Sequence, residues 1–127
     1  MKLIKKIKSR KFKVGWDKKT ILKDVGSLYL NNNENITFKS LDNKKEYDIC
    51  KKEWGFYGTP TLNKRLKKFG YTAALVKNSV FKTFGILIVE DEKKKEFLRY
   101  LKIQKMTLIC WLNANKLKKI ENLFFTK

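Results

Sequence analysis

Histidine is absent, which removes the commonest general base, the commonest zinc ligand and any Ser-His-Asp or Cys-His arrangement. Cys50 and Cys110 stand far apart with no second thiol beside either. Two cysteines without histidine are too few for a structural zinc site and suit reduced, buried thiols. One proline, six glycines and no Pro/Ser/Gly linker argue against long flexible joints. No stretch approaches the roughly 18 apolar residues of a membrane helix. The charged start is not followed by an apolar run of signal-peptide length. These absences lead us to expect a cytoplasmic chain. GxxxxGK[ST] and GxGxxG are both missing, so a dedicated nucleotide fold has no motif support. The acidic cluster Glu90-Asp91-Glu92 stands before a helical pattern, where acids complement the helix dipole without any metal. No cofactor, no metal and no catalytic residue is expected.

What is abundant is lysine. The 127 residues carry 31 Lys and Arg against 12 Asp and Glu, a formal charge of +19. Only Arg10, Arg65 and Arg99 are arginine. Asparagine, isoleucine and phenylalanine are also plentiful, and all three share A/T-rich codons with lysine, so coding composition stands as an alternative to selection for a polyanion as the source of the charge. Glutamate, also A-rich in its codons, is not enriched, which leaves an attraction to anionic surfaces to explain. Nucleic acid, acidic proteins and anionic headgroups are the candidate partners. With 43% hydrophobic residues the chain can bury a core and fold as a monomer or weak dimer.

The pattern predicts an α+β fold: a mixed β-sheet with three helices and an antiparallel N-terminal hairpin region. Residues 1–13, with seven basic residues and no acid, read as a basic N-terminal arm; 14–127 read as one domain. Ser27–Leu30 and Glu34–Lys39 flank Asn31-Asn32-Asn33 and predict a hairpin. A second turn at Asp42–Lys45 leads to a strand from Tyr47. Thr59 as cap, Pro60 as first residue and Gly70 as exit predict a helix with Leu62, Leu66 and Phe69 inward. Two interior strands, Tyr71–Val76 and Lys82–Val89, form a hairpin. A helix over Lys93–Lys105 with Phe97, Leu98 and Leu101 inward leads to a buried strand at Met106–Leu112. A last helix, capped by Asn113, turns Leu117, Ile120 and Phe124 to one side. The strand–helix–strand from Phe84 to Leu112 predicts a right-handed crossover.

The densest segment is Trp54–Arg65. Gly55 and Gly58 let a backbone approach a ligand, and a helix start at Thr59 would present free amides to an anion. Tyr57 offers a stacking face beside Trp54, which is itself assigned to the core. Thr59, Thr61 and Asn63 add polar groups, and Lys64 and Arg65 add charge. Gly55, Tyr57, Gly58, Thr59, Thr61, Asn63, Lys64 and Arg65 are therefore the candidate ligand-binding residues, for phosphate, sugar phosphate or an acidic partner.

That phrase, with Thr72-Ala-Ala-Leu-Val-Lys-Asn and Cys110-Trp-Leu-Asn downstream, resembles a family of small uncharacterised bacterial proteins. Their pattern reads roughly WGFYATPSLNxRL, ALVKN and WLD. Gly58 stands here for the alanine, Thr61 for the serine and Asn113 for the final acid. The likeness spans about Lys13 to Asn113 and implies a recurring domain type without a catalytic residue. Two functions follow from the residues: a non-enzymatic binding or accessory module using Trp54–Arg65, or a lysine-rich nucleic-acid-binding protein with weak sequence preference.

Overall fold

The computed structural model describes residues 1–125, and of residues 6–9 the backbone alone. The side chains of Lys6 and Lys8, counted above in the basic arm, thus lie outside the described residues. Chain contacts divide the protein into two compact units, Met1–Thr59 and Pro60–Lys127.

The first unit is built from strands. β1 (Lys2–Val14) pairs antiparallel with β2 (Thr20–Tyr29), so the basic first residues form a ribbon. The register shifts between Lys5 and Arg10, opposite Gly26 and Asp24. The two strands therefore change step between these points. β3 (Asn35–Lys39), β4 (Glu46–Lys52) and β5 (Gly55–Gly58) form a separate antiparallel sheet in the order β3-β4-β5. The anticipated Ser27–Leu30/Glu34–Lys39 hairpin is therefore replaced by two other pairings. Asn33 does adopt the left-handed conformation, at φ 68°. Its amide, however, bonds Lys51 O at 2.8 Å, so the turn feeds β3 onto β4 and not back onto β2. The turn after Lys39 forms as the sequence suggests, with Lys44 at φ 58° and Ser40 N donating to Lys45 O at 2.8 Å.

The second unit opens on a short helix. The predicted start at Thr59 and Pro60 is wrong: α1 spans Arg65–Lys68 only. Thr61 is the residue that closes the turn, its carbonyl accepting from Leu66 N at 3.0 Å and its hydroxyl from Arg65 N at 3.2 Å. Gly70, at φ 88°, provides the anticipated exit. β6 (Tyr71–Asn78) and β7 (Thr83–Glu90) form the expected hairpin, whose turn is held by Asn78 Oδ1 accepting from Val80 N and Phe81 N at 3.0 Å. After a 3-10 turn at Asp91–Lys93 come α2 (Lys94–Ile103), β8 (Met106–Trp111) and α3 (Ala114–Phe125). Asn113 caps α3 as predicted, Oδ1 accepting from Lys116 N at 2.9 Å.

The sheet order β7-β6-β8 corrects the expectation of a mixed sheet, since both neighbours of β6 run antiparallel to it. β7 and β8 are parallel to each other, but β6 lies between them, so the crossover through α2 never makes a parallel pair. The core gathers Ala74, Val76, Val89 and Leu101, with Leu87, Phe97 and Trp111 packed against it. Phe97 and Trp111 meet with ring centroids 5.6 Å apart.

Two further expectations fail. β7 and β8 were read as interior, yet Phe84, Ile86 and Ile109 are exposed. Core packing takes only alternate residues of β7, such as Leu87 and Val89, and leaves Phe84 and Ile86 on the opposite face. Leu98 of α2 and Phe124 of α3 likewise face outward and not inward.

Candidate functional site

The residues singled out in the sequence divide between the two units. Gly55, Tyr57, Gly58 and Thr59 belong to the first, and Thr61, Asn63, Lys64 and Arg65 to the second. Within the first unit β5 turns back on β4 after Glu53 and Trp54, and Thr59 N extends the ladder to Asp48 O at 3.1 Å. The core placement of Trp54 is overturned: the indole is 70% exposed, and it stacks on Tyr57 with centroids 5.8 Å apart and planes at 23°. A turn between two short strands has no core beneath it to receive an indole.

Register shows what else shares this hairpin. Phe38 opposes Tyr47, Ile36 opposes Ile49, Ile49 opposes Gly58, and Lys51 opposes Phe56. Directly opposed residues lie on one face. One side of the three-stranded sheet therefore carries Ile36 and Phe38 of β3, Tyr47, Ile49 and Lys51 of β4 and Phe56 of β5, with Phe38 beside Tyr47 at one end and Phe56 beside Lys51 at the other. Phe56 is 63% exposed and Phe38 46%. Lys51 Nζ lies 5.6 Å from the Phe56 centroid, within cation–π reach, and 3.2 Å from Asn32 Oδ1. Tyr47 reaches across the sheet to Gly58: a Cβ at residue 58 would fall 1.8 Å from the Tyr47 hydroxyl. Burial raises the Tyr47 phenol above its ordinary pKa of 10.0. The alternation of Ile36 and Phe38 with Thr37 and Lys39 and a strand from Tyr47 are legible in the sequence; the pairing that puts Ile36, Phe38, Tyr47, Ile49 and Lys51 on one open face is not.

In the second unit Asn63 lines a cleft of about 260 Å³ together with Lys67, Thr72, Asn113 and Asn115. Lys67 Nζ donates to Asp91 Oδ2 at 3.2 Å, and the Thr72 hydroxyl donates to Asp91 Oδ1 at 2.6 Å. Burial alone would raise the Asp91 carboxyl, but the bonds from Thr72 and Lys67 and the charges of Lys67 and Lys94 outweigh it and hold the pKa below 3.8. Asp91 is thus ionised at neutral pH and offsets the charge of Lys67, so the cleft offers amide and hydroxyl groups more than net positive charge. Lys64 and Arg65 are exposed, and the Arg65 guanidinium lies 5.4 Å from the Phe69 ring centroid.

Among the described residues no group of three or more His, Cys, Asp or Glu side chains could hold a metal ion, and no helix is long and apolar enough to cross a membrane. Cys50 and Cys110 are free thiols. Comparison with known proteins returns no matching family model, no matching curated protein and no matching solved structure.

Proposed function

We propose that the protein is a non-enzymatic binder of single-stranded nucleic acid that uses the open face of β3-β4-β5. The observation that carries this reading is that Phe38, Tyr47 and Phe56 share one sheet face, Phe38 beside Tyr47 at one end and Phe56 beside Lys51 at the other, with Phe38 and Phe56 exposed. Bases stack on exposed aromatics whatever their sequence, and lysines meet the phosphates between them. The Trp54–Tyr57 stack stands at the end of the same hairpin, with Tyr57 on the opposite face of the sheet from Phe56, and offers a second flat surface there. The β1–β2 ribbon of this unit supplies exposed Lys2, Lys5, Arg10, Lys11, Lys13 and Lys23. Lysine supplies point charge where arginine would read base edges, so the binding tolerates sequence.

Titration of a thymidine oligonucleotide of about 12 nucleotides, a site size typical of such sheets, tests the reading through the protein's fluorescence. Saturable binding should weaken roughly 5- to 150-fold in Phe56→Ala, the loss expected for one stacked base. Undiminished affinity in Phe56→Ala, or no binding at ~50 mM salt where phosphate contacts are strong, would reject it.

The cleft beside Asn63 supports a second reading, a small phosphate or sugar-phosphate ligand. Its three asparagines and Thr72 suit such a molecule. The Lys67–Asp91 pair leaves little charge to attract it, which is why the aromatic face ranks first. Calorimetric titration with inorganic phosphate, in wild type and Asn63→Ala, distinguishes the two.

A further inference from the structure

The turn between β6 and β7 carries apolar side chains into water. Phe81 is 69% exposed, and Val80 and Phe84 beside it are also exposed. The turn between α2 and β8 packs against this one. Lys105 O accepts from Ser79 N at 3.1 Å, and the Ser79 and Thr107 hydroxyls meet at 3.1 Å. That contact brings the exposed Ile103 to the same end of the unit. Lysines accompany these groups: Lys77, Lys82, Lys102 and Lys105 fall within residues 77–84 and 102–107, which hold no aspartate or glutamate. Lys77 Nζ stands 5.5 Å from the Phe84 ring centroid. Glu90, Asp91, Glu92 and Glu96 stand at the other end of the hairpin, where β7 passes into α2, and Glu121 pairs with Lys118 on α3. The amides of the tip are bonded within the protein. Ser79 N donates to Lys105 O, Val80 N and Phe81 N to Asn78 Oδ1, and Lys82 N to Asn78 O.

We infer that this end of the second unit docks on an anionic lipid surface, with Val80 and Phe81 entering the boundary between headgroups and acyl chains and the lysines meeting the headgroup anions. Apolar groups with a basic surround fit a surface that is anionic above and apolar below. A tip whose successive amides are already bonded can leave water, whereas unbonded amides would oppose entry. Lysine stems can lie along the apolar groups while their charged heads stay among the headgroups. Charge also selects among occupants. A second copy, at a formal +19, would bring like charge to these lysines. Nucleic acid would gain from the lysines but not from Val80 and Ile103, which offer no ring on which a base could stack. A protein partner would need a pocket shaped to the tip, and a lipid surface needs none. The contact is peripheral, since no helix among the described residues is long and apolar enough to cross a membrane. It lies in the second unit and is independent of the aromatic face of the first.

The test sediments the whole protein with vesicles of phosphatidylcholine alone and of equal parts phosphatidylcholine and phosphatidylserine. The protein should bind the mixed vesicles, less tightly as salt rises, and bind phosphatidylcholine alone at least about tenfold more weakly. Phe81→Ala should weaken binding to the mixed vesicles roughly tenfold, the loss of a partly buried phenyl. Lys82→Gln should weaken it about fivefold, the effect of one lysine near the surface. Both variants should keep the wild-type thermal transition and the wild-type affinity for oligothymidine. Glycerophosphoserine, the headgroup without its chains, should not displace the vesicles. Bicelles of the mixed composition, with a lipid spin-labelled high on its acyl chain, should broaden the NMR amide signals of residues 79–82 in the wild type, which reads the contact without any variant. No binding to the mixed vesicles, equal binding to phosphatidylcholine alone, undiminished binding in Phe81→Ala, displacement by glycerophosphoserine, or broadening confined to other surfaces would each overturn the inference. A loss of oligothymidine affinity in Phe81→Ala would overturn it in favour of nucleic acid at the tip. Polyglutamate binding that falls as steeply in Phe81→Ala as vesicle binding does would overturn it in favour of an acidic protein.

Discussion

Thr72 Oγ1 donates to Asp91 Oδ1 at 2.6 Å and so ties the start of β6 to the residue that follows β7. Lys67 Nζ, from α1, holds the other carboxylate oxygen at 3.2 Å, and Lys94, at the start of α2, stands 3.7 Å from Oδ1. One carboxylate thereby joins the short helix, the hairpin and the long helix of the second unit. Its folded pKa lies below its ordinary value of 3.8. A carboxylate with a depressed folded pKa stabilises the protein fully above the unfolded value, and that stabilisation is lost as pH falls through the folded value. The urea stability of wild type relative to Asp91→Asn should therefore hold constant at neutral pH and shrink as the solution is acidified below the ordinary carboxylate value. Thr72→Val, removing a buried bond to a charged group, should cost about 1.5–3 kcal/mol. An Asp91→Asn difference that grows on acidification would contradict this account.

Gly26 lies where the β1–β2 register shifts, at φ 153°, and a Cβ there would stand 2.3 Å from the Ile4 carbonyl oxygen. Backbone cannot yield as a flexible side chain can. Gly26→Ala should destabilise the ribbon by about 1–3 kcal/mol, the usual cost of a strained backbone position, read as faster amide exchange in β1 and β2. Unchanged exchange there would show that the ribbon is not held as described.

Binding of single strands should weaken steeply with salt. Each lysine–phosphate contact releases counterion, at about 0.7 per phosphate in the slope of log affinity against log salt. Scrambling the oligonucleotide sequence should matter little by comparison. A strong preference for one sequence over its scrambled form, or affinity indifferent to salt, counts against lysine-led binding.

The sequence was legible where its signals were local. The β6–β7 hairpin, the Asp42–Lys45 turn, α2 and the Asn113 cap follow from turn residues and helical spacing within a few positions. The failures concern pairing over distance. Lysines fall throughout β1, so no alternation marks it as a strand. Thr59-Pro60 looks like a helix entry, yet the Thr59 amide is taken by Asp48 O on β4, and the turn closes at Thr61 instead. The apolar runs of β7 and β8 suggested burial on both faces, but the core takes one face of β7 and leaves Phe84 and Ile86 open. At the candidate site the aromatic content of Trp54–Tyr57 was visible. The contribution of Phe38 and Tyr47 needed the strand register.

The two thiols should differ in reactivity. Cys50 is 6% exposed on β4, and Cys110 on β8 is more accessible. A chromogenic disulfide reagent should modify Cys110 first, and Cys50 at a rate that rises with denaturant, because a buried thiol reacts through opening of the structure. The thermal transition should be the same with and without dithiothreitol. Loss of that transition in reductant would mean the thiols are joined.

Gly58 and Tyr47 give a last test, one that separates packing on the aromatic face from binding by it. The Tyr47 hydroxyl occupies the space a Cβ at residue 58 would need. Because the obstacle is the far end of a side chain, Gly58→Ala should fold, with the Tyr47 ring displaced from the sheet toward water. Burial is what raises the Tyr47 phenol, so its titration should fall back toward the ordinary 10.0. A phenol whose folded pKa is raised makes stability fall as pH climbs past the unfolded value, and this alkaline loss should be smaller in Gly58→Ala. Carbon-13 labelling of tyrosine Cζ follows residue 47 apart from the other four tyrosines. If the ring also stacks a base, Gly58→Ala should weaken oligonucleotide binding while the melting temperature moves by only a few degrees, equivalent to about 1 kcal/mol. A Tyr47 titration unchanged by the alanine would mean that the ring does not rest on Gly58, and the aromatic face would lose one of its three rings.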